Sequence, residues 1–299
     1  MNYLSVEQLS KRFGDLEILK ELSFGMAKGE KLALIAKNGT GKSTLLNMIA
    51  GLDTPDTGQV VWRKDINVQF LSQDPNFDPE LSIWDAVFQS DNPILKAIRE
   101  YEDCIEHAIE GERFQNALDK IEELEAWDHE VRVKSILSEL KVDNFDTQIK
   151  SLSGGQVKRL ALAKVLIDQP DFLILDEPTN HLDLEMIEWL EKFLVSEKLT
   201  LLMVTHDRYF LENVCNVILE MDDRGLYTYK GNYSYFLEKR EERKQIEQSG
   251  IEKAKNLYRK ELDWMRRQPK ARSTKSKARI DSFYGVEEQA KKRTDEKEV

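Results

Sequence analysis

Hydrophobic and polar positions along the first ninety residues fall into short β-like runs at 6–9, 31–35, 60–62 and 67–71, separated by glycine-bearing turns, with one helical stretch, 43–50, directly after Gly41. From Pro93 to Leu140 the pattern becomes helical and acidic, and Ile94, Ile98, Ile105 and Ile109 recur at helix-like spacing. That change predicts an inserted helical layer, a subdomain spanning about 91–165. Residues 157–220 then return to alternation: helix 157–167, buried strand 172–175, helix 184–194, strand 200–204, helix 209–214, strand 217–220. Strand and helix in turn predict an α/β domain whose mostly parallel sheet is covered on both faces.

After Tyr229 the chain turns through Lys230, Gly231 and Asn232 and reads as one long helix to Gln268. Ile251, Ala254, Tyr258, Leu262 and Met265, spaced by three or four, give it a single apolar stripe. Pro269 ends it, a loop rich in Lys, Arg and Ser follows, and a second helical stretch starts near Ala278, so an antiparallel hairpin is expected. The expected division is therefore a domain over 1–240 and a basic helical linker over 241–299. No internal repeat or low-complexity segment is visible.

Composition narrows the class. With 299 residues, 40% of them hydrophobic, the chain is long enough for one large core and an appendage. Its longest apolar runs, such as 199–204 and 172–175, fall far short of the roughly 18 residues that cross a bilayer. The N-terminus has neither a basic start nor an apolar stretch with a small-residue cleavage site, so a cytoplasmic protein is expected. Cys104 and Cys215, far apart and without a metal-ligand pattern, read as packing residues. The net charge of −11 is uneven: residues 251–299 carry 15 Lys/Arg against 9 Asp/Glu, and residues 1–250 carry 29 against 46. Such a basic end fits either a polyanion-binding element or a solvated helix rich in Lys and Glu.

Two motifs carry chemistry. A strand, 31–35, leads into Ala36, Lys37, Asn38, Gly39, Thr40, Gly41, Lys42, Ser43 and Thr44 and then into a helix with Leu45, Leu46 and Ile49 inward, which is a phosphate-binding P-loop in its proper context. Gly39 and Gly41 let backbone N–H groups converge, and the helix N-terminus adds partial positive charge. Lys42 is expected to reach the β and γ phosphates of ATP, and the Ser43 hydroxyl to ligate Mg²⁺. Ala36 stands where the usual first glycine would be, a cheap change if the backbone there is extended. The second motif is the apolar strand 172–175, which delivers Asp176 and Glu177 at its C-terminal end, where ligands sit in open parallel sheets. Asp176 is expected to hold Mg²⁺ and Glu177 to polarise an attacking water. Helix capping suits Asp183 better.

Leu152, Ser153, Gly154, Gly155 and Gln156, opening a helix just upstream of that strand, closely resemble the signature of ATP-binding cassettes. The resemblance implies a P-loop NTPase fold in which Ser153 to Gln156 bind the γ-phosphate held by an opposite cassette. It implies further that Gln73 touches Mg²⁺ and the attacking water, that Phe13 stacks on adenine, and that His206 senses the γ-phosphate. The stretch 178–183, the run Thr205, His206, Asp207, Arg208, Tyr209, Phe210, the segment 231–235 and the basic segment 270–281 resemble the ABC-F family, the last segment its Uup-type branch. Members of that family hold two cassettes joined by a linker that contacts tRNA and ribosomal RNA, so the resemblance implies ribosome, rRNA, tRNA and a second cassette as partners.

The chain departs from the pattern by reaching Val299 without a second P-loop, and is read as the first half of a longer protein. The helical insertion stands where the family places a ribosome-facing arm, but it is short and also fits the ordinary helical subdomain of a cassette. Two other readings share the site: a transporter ATPase subunit, which a long basic hairpin disfavours, and a DNA-binding or repair cassette, which would use DNA as the partner of that hairpin.

Overall fold

A computed structural model of the protein describes residues 1–90, 92–222, 225–266, 283–284 and 287. These fall into two compact units, dividing between Tyr233 and Ser234.

The first unit opens with β1 (Asn2–Phe13), β2 (Leu16–Ala27) and β3 (Lys31–Ala36), then α1 (Lys42–Ile49), β4 (Thr57–Trp62) and β5 (Val68–Leu71). The helical layer follows as α2 (Ile83–Phe88), α3 (Pro93–Glu106), α4 (Glu112–Glu123) and α5 (Trp127–Glu139). The chain returns to the sheet through α6 (Gly154–Ile167), β6 (Phe172–Asp176), α7 (Leu184–Ser196), β7 (Thr200–Val204), α8 (Arg208–Val214), β8 (Val217–Asp222) and β9 (Gly225–Lys230). Six strands form one sheet in the order β5-β6-β7-β3-β8-β9, parallel except for the β8–β9 hairpin. β2, β1 and β4 form a separate antiparallel sheet, with Val6 opposite Val60 and Phe13 opposite Leu16.

Every residue of β6 and β7 is buried, as expected of central parallel strands covered on both sides. The period of two then assigns each residue to a face. Leu173, Leu175, Leu201 and Met203 join one core with Leu160 of α6, Leu190 of α7 and Phe210 of α8. Phe172, Ile174, Leu202 and Val204 join the other with Leu45, Leu46 and Ile49 of α1 and with Leu4, Val6 and Leu9 of β1. The antiparallel sheet and α1 thus cover one face of the parallel sheet, and the signature-bearing helix and its neighbours cover the other.

In the helical layer the isoleucine periodicity runs across a break. Ile94, Ile98 and Ile105 lie on α3, capped by the Asn92 side chain and opened by Pro93, but Ile109 lies beyond it. Ala108 (φ 48°) and Gly111 (φ 90°) adopt left-handed backbone there, which ends one helix before the next begins. The helical layer expected over 93–140 is thus divided among α3, α4 and α5. Strands β2 and β9 and helix α2 had no counterpart among the predicted elements. Cys104 and Cys215 are both buried free thiols, as packing residues should be; burial pushes the Cys215 thiol up to about 12.

The second unit is carried by α9 (Tyr233–Arg266). Ile251, Ala254, Tyr258 and Leu262 are half-buried on it, among exposed residues such as Lys253, Lys255 and Arg259. The Tyr258 ring stacks on buried Phe283, centroids 5.4 Å apart. The expected loop after Pro269 and the basic residues between 270 and 281 lie outside the described residues.

Ile174→Ala removes a fully buried side chain between α1 and the sheet, so it should destabilise the chain by about 2–5 kcal/mol, read as a lowered urea midpoint with an unchanged slope.

Candidate active site

The P-loop follows from how β3 ends. Ala36 is the last residue of the strand and has no positive φ, so an alanine there is unstrained. Past it the chain bends through Gly39 (φ 80°) and Gly41 (φ 88°) into α1. Gly41 is required twice over: its φ is left-handed, and a Cβ would stand 2.4 Å from Ile18 Cγ2 on β2. The loop is held from within. Thr40 donates its hydroxyl to the Lys37 carbonyl at 2.7 Å, and Lys42 Nζ donates to the Ala36 carbonyl and to Asn38 Oδ1, each at 3.1 Å.

Across the sheet, β6 places Asp176 in the interior and passes to Glu177, whose backbone N–H donates to the Val204 carbonyl at 2.8 Å. Glu177 has φ 52°, an uncommon conformation for a residue with a side chain and one that recurs at functional sites. Burial pushes both carboxyls above the usual range; a hydrogen bond from Ser43 and the charge of Lys42 pull Asp176 back, and His206 does the same for Glu177. Lys42 is lowered by burial, against the opposing pull of Glu177 and then Asp176.

His206 follows β7 and is fixed by its neighbours. Asp207 caps α8 by accepting from the Tyr209 and Phe210 amides, at 3.0 and 3.1 Å. His206 donates its backbone N–H to Glu177 Oε2 at 3.3 Å, and its Nε2 lies 3.5 Å from Glu177 Oε1. Gln73, exposed just beyond β5, reaches the same space.

These elements enclose a cleft of about 530 Å³ lined by Asn38, Gly39, Gly41, Lys42, Ser43, Thr44, Gln73, Asp176, Glu177 and His206. Three further lining residues, Ile18, Asn180 and Val204, carried no predicted role. Ile18 lies on β2, whose apolar positions are interrupted by Glu17, Lys20 and Glu21 and gave no clear signal; Asn180 lies in the loop after Pro178. Lys37 supplies backbone to the loop and does not line the cleft. Phe13 lies at the β1–β2 turn, 53% exposed, outside the cleft lining and outside both cores.

Ser153 to Gln156 also lie away from this cleft. They open α6 with a capping box: the Gln156 amide donates to Ser153 Oγ at 3.3 Å, and the Ser153 amide donates to Gln156 Oε1 at 2.9 Å. Asp183 caps α7 by accepting from the Met186 amide at 3.0 Å.

The donor set fits a magnesium-bound nucleoside triphosphate. A buried carboxyl that ionises reluctantly, beside a hydroxyl and facing an ammonium group and a helix N-terminus, gains stability when a cation and a polyphosphate arrive together. Ser43 and Asp176 would hold the metal, Lys42 and the amides of 39–44 the phosphates.

A family model described as ABC transporter matches residues 19–180, and a second with the same description matches 219–299. The chain is 43% identical over 296 residues to an uncharacterized ABC transporter ATP-binding protein, YfmR, of Bacillus subtilis, covering 97% of this chain and 47% of that one. It is 34% identical over 294 residues to the energy-dependent translational throttle protein EttA of Mycobacterium tuberculosis, covering 96% and 53%, and 34% identical over 274 residues to EttA of Escherichia coli K12, covering 89% and 49%. The chain spans about half the length of the curated relatives it matches. Among solved structures, an ATP-binding subunit of an ABC transporter aligns with TM-score 0.58 at 19% identity over 76% of this chain and 90% of that one. A nucleotide-free ATP-binding cassette from an ABC transporter aligns with TM-score 0.54 at 23% identity over 78% and 92%, which shows a shared fold. With the family model spanning the P-loop, the signature helix and the acidic strand end of this cleft, the chain belongs to the ABC transporter family of ATP-binding cassettes.

Proposed function

We propose that the chain is a Mg-ATP-binding, ATP-hydrolysing cassette of the ABC-F type that works in the cytoplasm on the ribosome and tRNA. The observation that carries the nucleotide chemistry is the convergence of Lys42, Ser43, Asp176, Glu177, Gln73 and His206 on one cleft. The bound metal would supply charge stabilisation at the phosphate oxygens. Glu177, held by His206 beside the phosphate cradle, takes the proton of the attacking water; His206 and Gln73 orient that water, and Lys42 holds the departing charge in place. Burial suits Glu177 to this role, because a carboxyl with a raised pKa is a stronger base than an exposed one.

Ser153 to Gln156 complete the site of a second cassette, in the manner the family signature implies. Their position outside the cleft supports that reading. The translational assignment rests on similarity to EttA, whose name describes a translational throttle, across most of this chain. The Uup-type linker, with Lys270, Arg272, Lys275, Lys277 and Arg279 as RNA contacts, rests on sequence alone, as does Phe13 as a purine platform. Among the described residues no helix is long and apolar enough to cross a membrane.

Lys42→Ala should weaken ATP binding by about 10- to 100-fold, the worth of a charge-assisted phosphate contact; calorimetry showing unchanged affinity would sink the assignment. Glu177→Gln should keep ATP affinity and lose turnover by about 10²–10⁴-fold, measured as phosphate release.

The same variant makes a pH prediction in the nucleotide-free protein. Because the folded Glu177 pKa is raised, the folded state holds the proton more tightly, and stability is lost as pH rises through the folded pKa. Glutamine does not titrate, so the variant should match the parent near pH 4 and exceed it in urea midpoint at pH 8. Equal differences at the two pH values would contradict a buried, reluctant carboxyl.

Neutralisation of about five phosphates by the basic segment should give log affinity against log salt a slope of roughly −3.5 to −4.5. Charge reversal at Arg272, Lys275 and Arg279 should flatten that slope in ribosome pelleting and leave ATP binding alone. Pelleting that is undiminished in the triple variant would return the segment to a solvated linker, and stronger retention of duplex DNA than of ribosomes at matched salt would favour the DNA reading.

A further inference from the structure

Glu177 and His206, the base and its partner at the attacking water, hang from separate loops. β6 and β7 end side by side, with Asp176 opposite Val204 as the last pair of their register. Glu177 and His206 lie just beyond, where the Glu177 amide still donates to the Val204 carbonyl at 2.8 Å. Their own contact is loose: the carboxylate stands 3.3 Å from the His206 amide and 3.5 Å from its Nε2, and the imidazole side chain is 60% exposed. Contacts of that length leave both groups free to turn, whereas a reacting constellation has to be held to within about 0.5 Å.

A second link joins the same two loops. Thr179, two residues past Glu177, and Thr205, directly before His206, bring their hydroxyls to 3.2 Å. Thr205 is buried and Thr179 half-buried, and neither lines the nucleotide cleft. Thr205 Oγ1 also accepts the Asp207 amide at 3.1 Å, and Asp207 caps α8, which ties one end of the link to a helix. At the other end the Asn180 amide donates to the Glu177 carbonyl at 3.2 Å and closes a turn around Pro178, whose ring fixes its own φ. A hydroxyl has one donor and two acceptor positions, so Thr205 can take the Asp207 amide and still share a proton with Thr179. Both side chains are short and stiff at χ1, so a bond between them fixes the backbones from which they stem.

We propose, resting on the hydrolytic reading above, that the Thr179–Thr205 hydroxyl bridge positions the reacting pair: it locks the loop that carries Glu177 to the loop that carries His206, and so sets the angle at which carboxylate and imidazole meet the attacking water. Neither threonine touches the substrate. Both act through their neighbours.

Turnover and ring resonances of the full chain test the bridge. Thr179→Val keeps the branched shape, removes the bridge and leaves the bond between Thr205 and Asp207 in place. It should lower kcat about tenfold, the worth of one lost hydrogen bond, with the KM for ATP unchanged because the phosphate contacts lie elsewhere. Thr179→Ser, which keeps the hydroxyl, should restore kcat. Adding Thr179→Val to Thr205→Val should cost nothing further, since the bridge is already gone. A raised KM at unchanged kcat, no rescue by serine, or an equal loss with and without Thr205 overturns the proposal. Turnover lost in Glu177→Gln but normal in Thr179→Val defeats the bridge alone, whereas turnover retained in Glu177→Gln defeats the hydrolytic reading. The ¹H–¹³C resonance of the His206 ring reads the bridge without turnover: Glu177→Gln should shift it in the parent and shift it less when Thr179→Val is also present. An equal shift in both backgrounds overturns the proposal. Should Thr205→Val fail to fold, serine rescue and the ring resonance decide the matter.

Discussion

Everything in the nucleotide cleft depends on burying a carboxylate at the end of a strand that has no solvent on either face. β6 is hydrogen-bonded to β5 and β7 and covered by both cores, so its last residue, Asp176, cannot leave the interior without breaking register. A lone ionised carboxylate in such a place is unstable. Ser43 and Lys42 stand at the distance of a hydrogen bond and an electrostatic partner, and Lys42 is itself partly desolvated. The charges of the cleft therefore compensate one another: each offsets part of the desolvation of its neighbour, and none is as well solvated as it would be in water. A divalent cation with a polyphosphate would satisfy acid and base together, in keeping with a site that holds both signs of charge at once.

The second constraint is steric and links the two sheets. Gly41 faces Ile18 and Leu19 of β2, close enough that any side chain at 41 would collide with Ile18. Leu19 in turn belongs to the core that includes Leu45, Leu46 and Ile49 of α1. The phosphate loop is thus shaped from outside by the antiparallel sheet and from inside by its own hydrogen bonds through Thr40 and Lys42. Ala36 shows where glycine matters and where it does not. At the strand end an alanine is accommodated as extended backbone, whereas at 41 both φ and contact exclude it.

The parallel sheet was legible because its strands are buried on both faces and read as continuous apolar runs, as 172–175 and 200–204 do. The P-loop and the acidic pair were legible because glycine, lysine and carboxylate at fixed spacing between strand and helix have few other uses. β2 escaped because Glu17, Lys20 and Glu21 interrupt its apolar positions, and its pairing to β1 is irregular at several points, so no clean period of two survives. β9 pairs only at the sheet edge and is half exposed, which leaves a mixed pattern. The isoleucine spacing through 109 misled because Ile109 sits in the turn that closes α3, where its N–H donates to the Cys104 carbonyl at 2.8 Å, and belongs to neither helix. Ile18 was missed because it lines the cleft by position in the fold with no chemistry that a motif would mark; Asn180 lies in the 178–183 stretch, where the resemblance named no role for it.

The signature residues show how a local structural need and a functional one share the same atoms. In α6 the Ser153 hydroxyl and the Gln156 Oε1 are engaged with each other in the capping box. What the first turn still offers is the Gly154 and Gly155 amides, first-turn donors with no partner inside the helix. A Cβ built at Gly154 would meet nothing within 4 Å, and one built at Gly155 would stand 3.7 Å from the His181 Cβ, so the surface is open at the first of the two. In the proposed two-cassette site, a phosphate arriving on an opposing cassette would meet backbone donors at a helix N-terminus whose cap is already closed. The capping box then acts as preorganisation: it holds the turn in shape before the phosphate arrives, so little ordering remains to be done when the two cassettes meet. In that division of labour serine and glutamine, the outer pair, build the turn, and the two glycines between them leave its amides accessible.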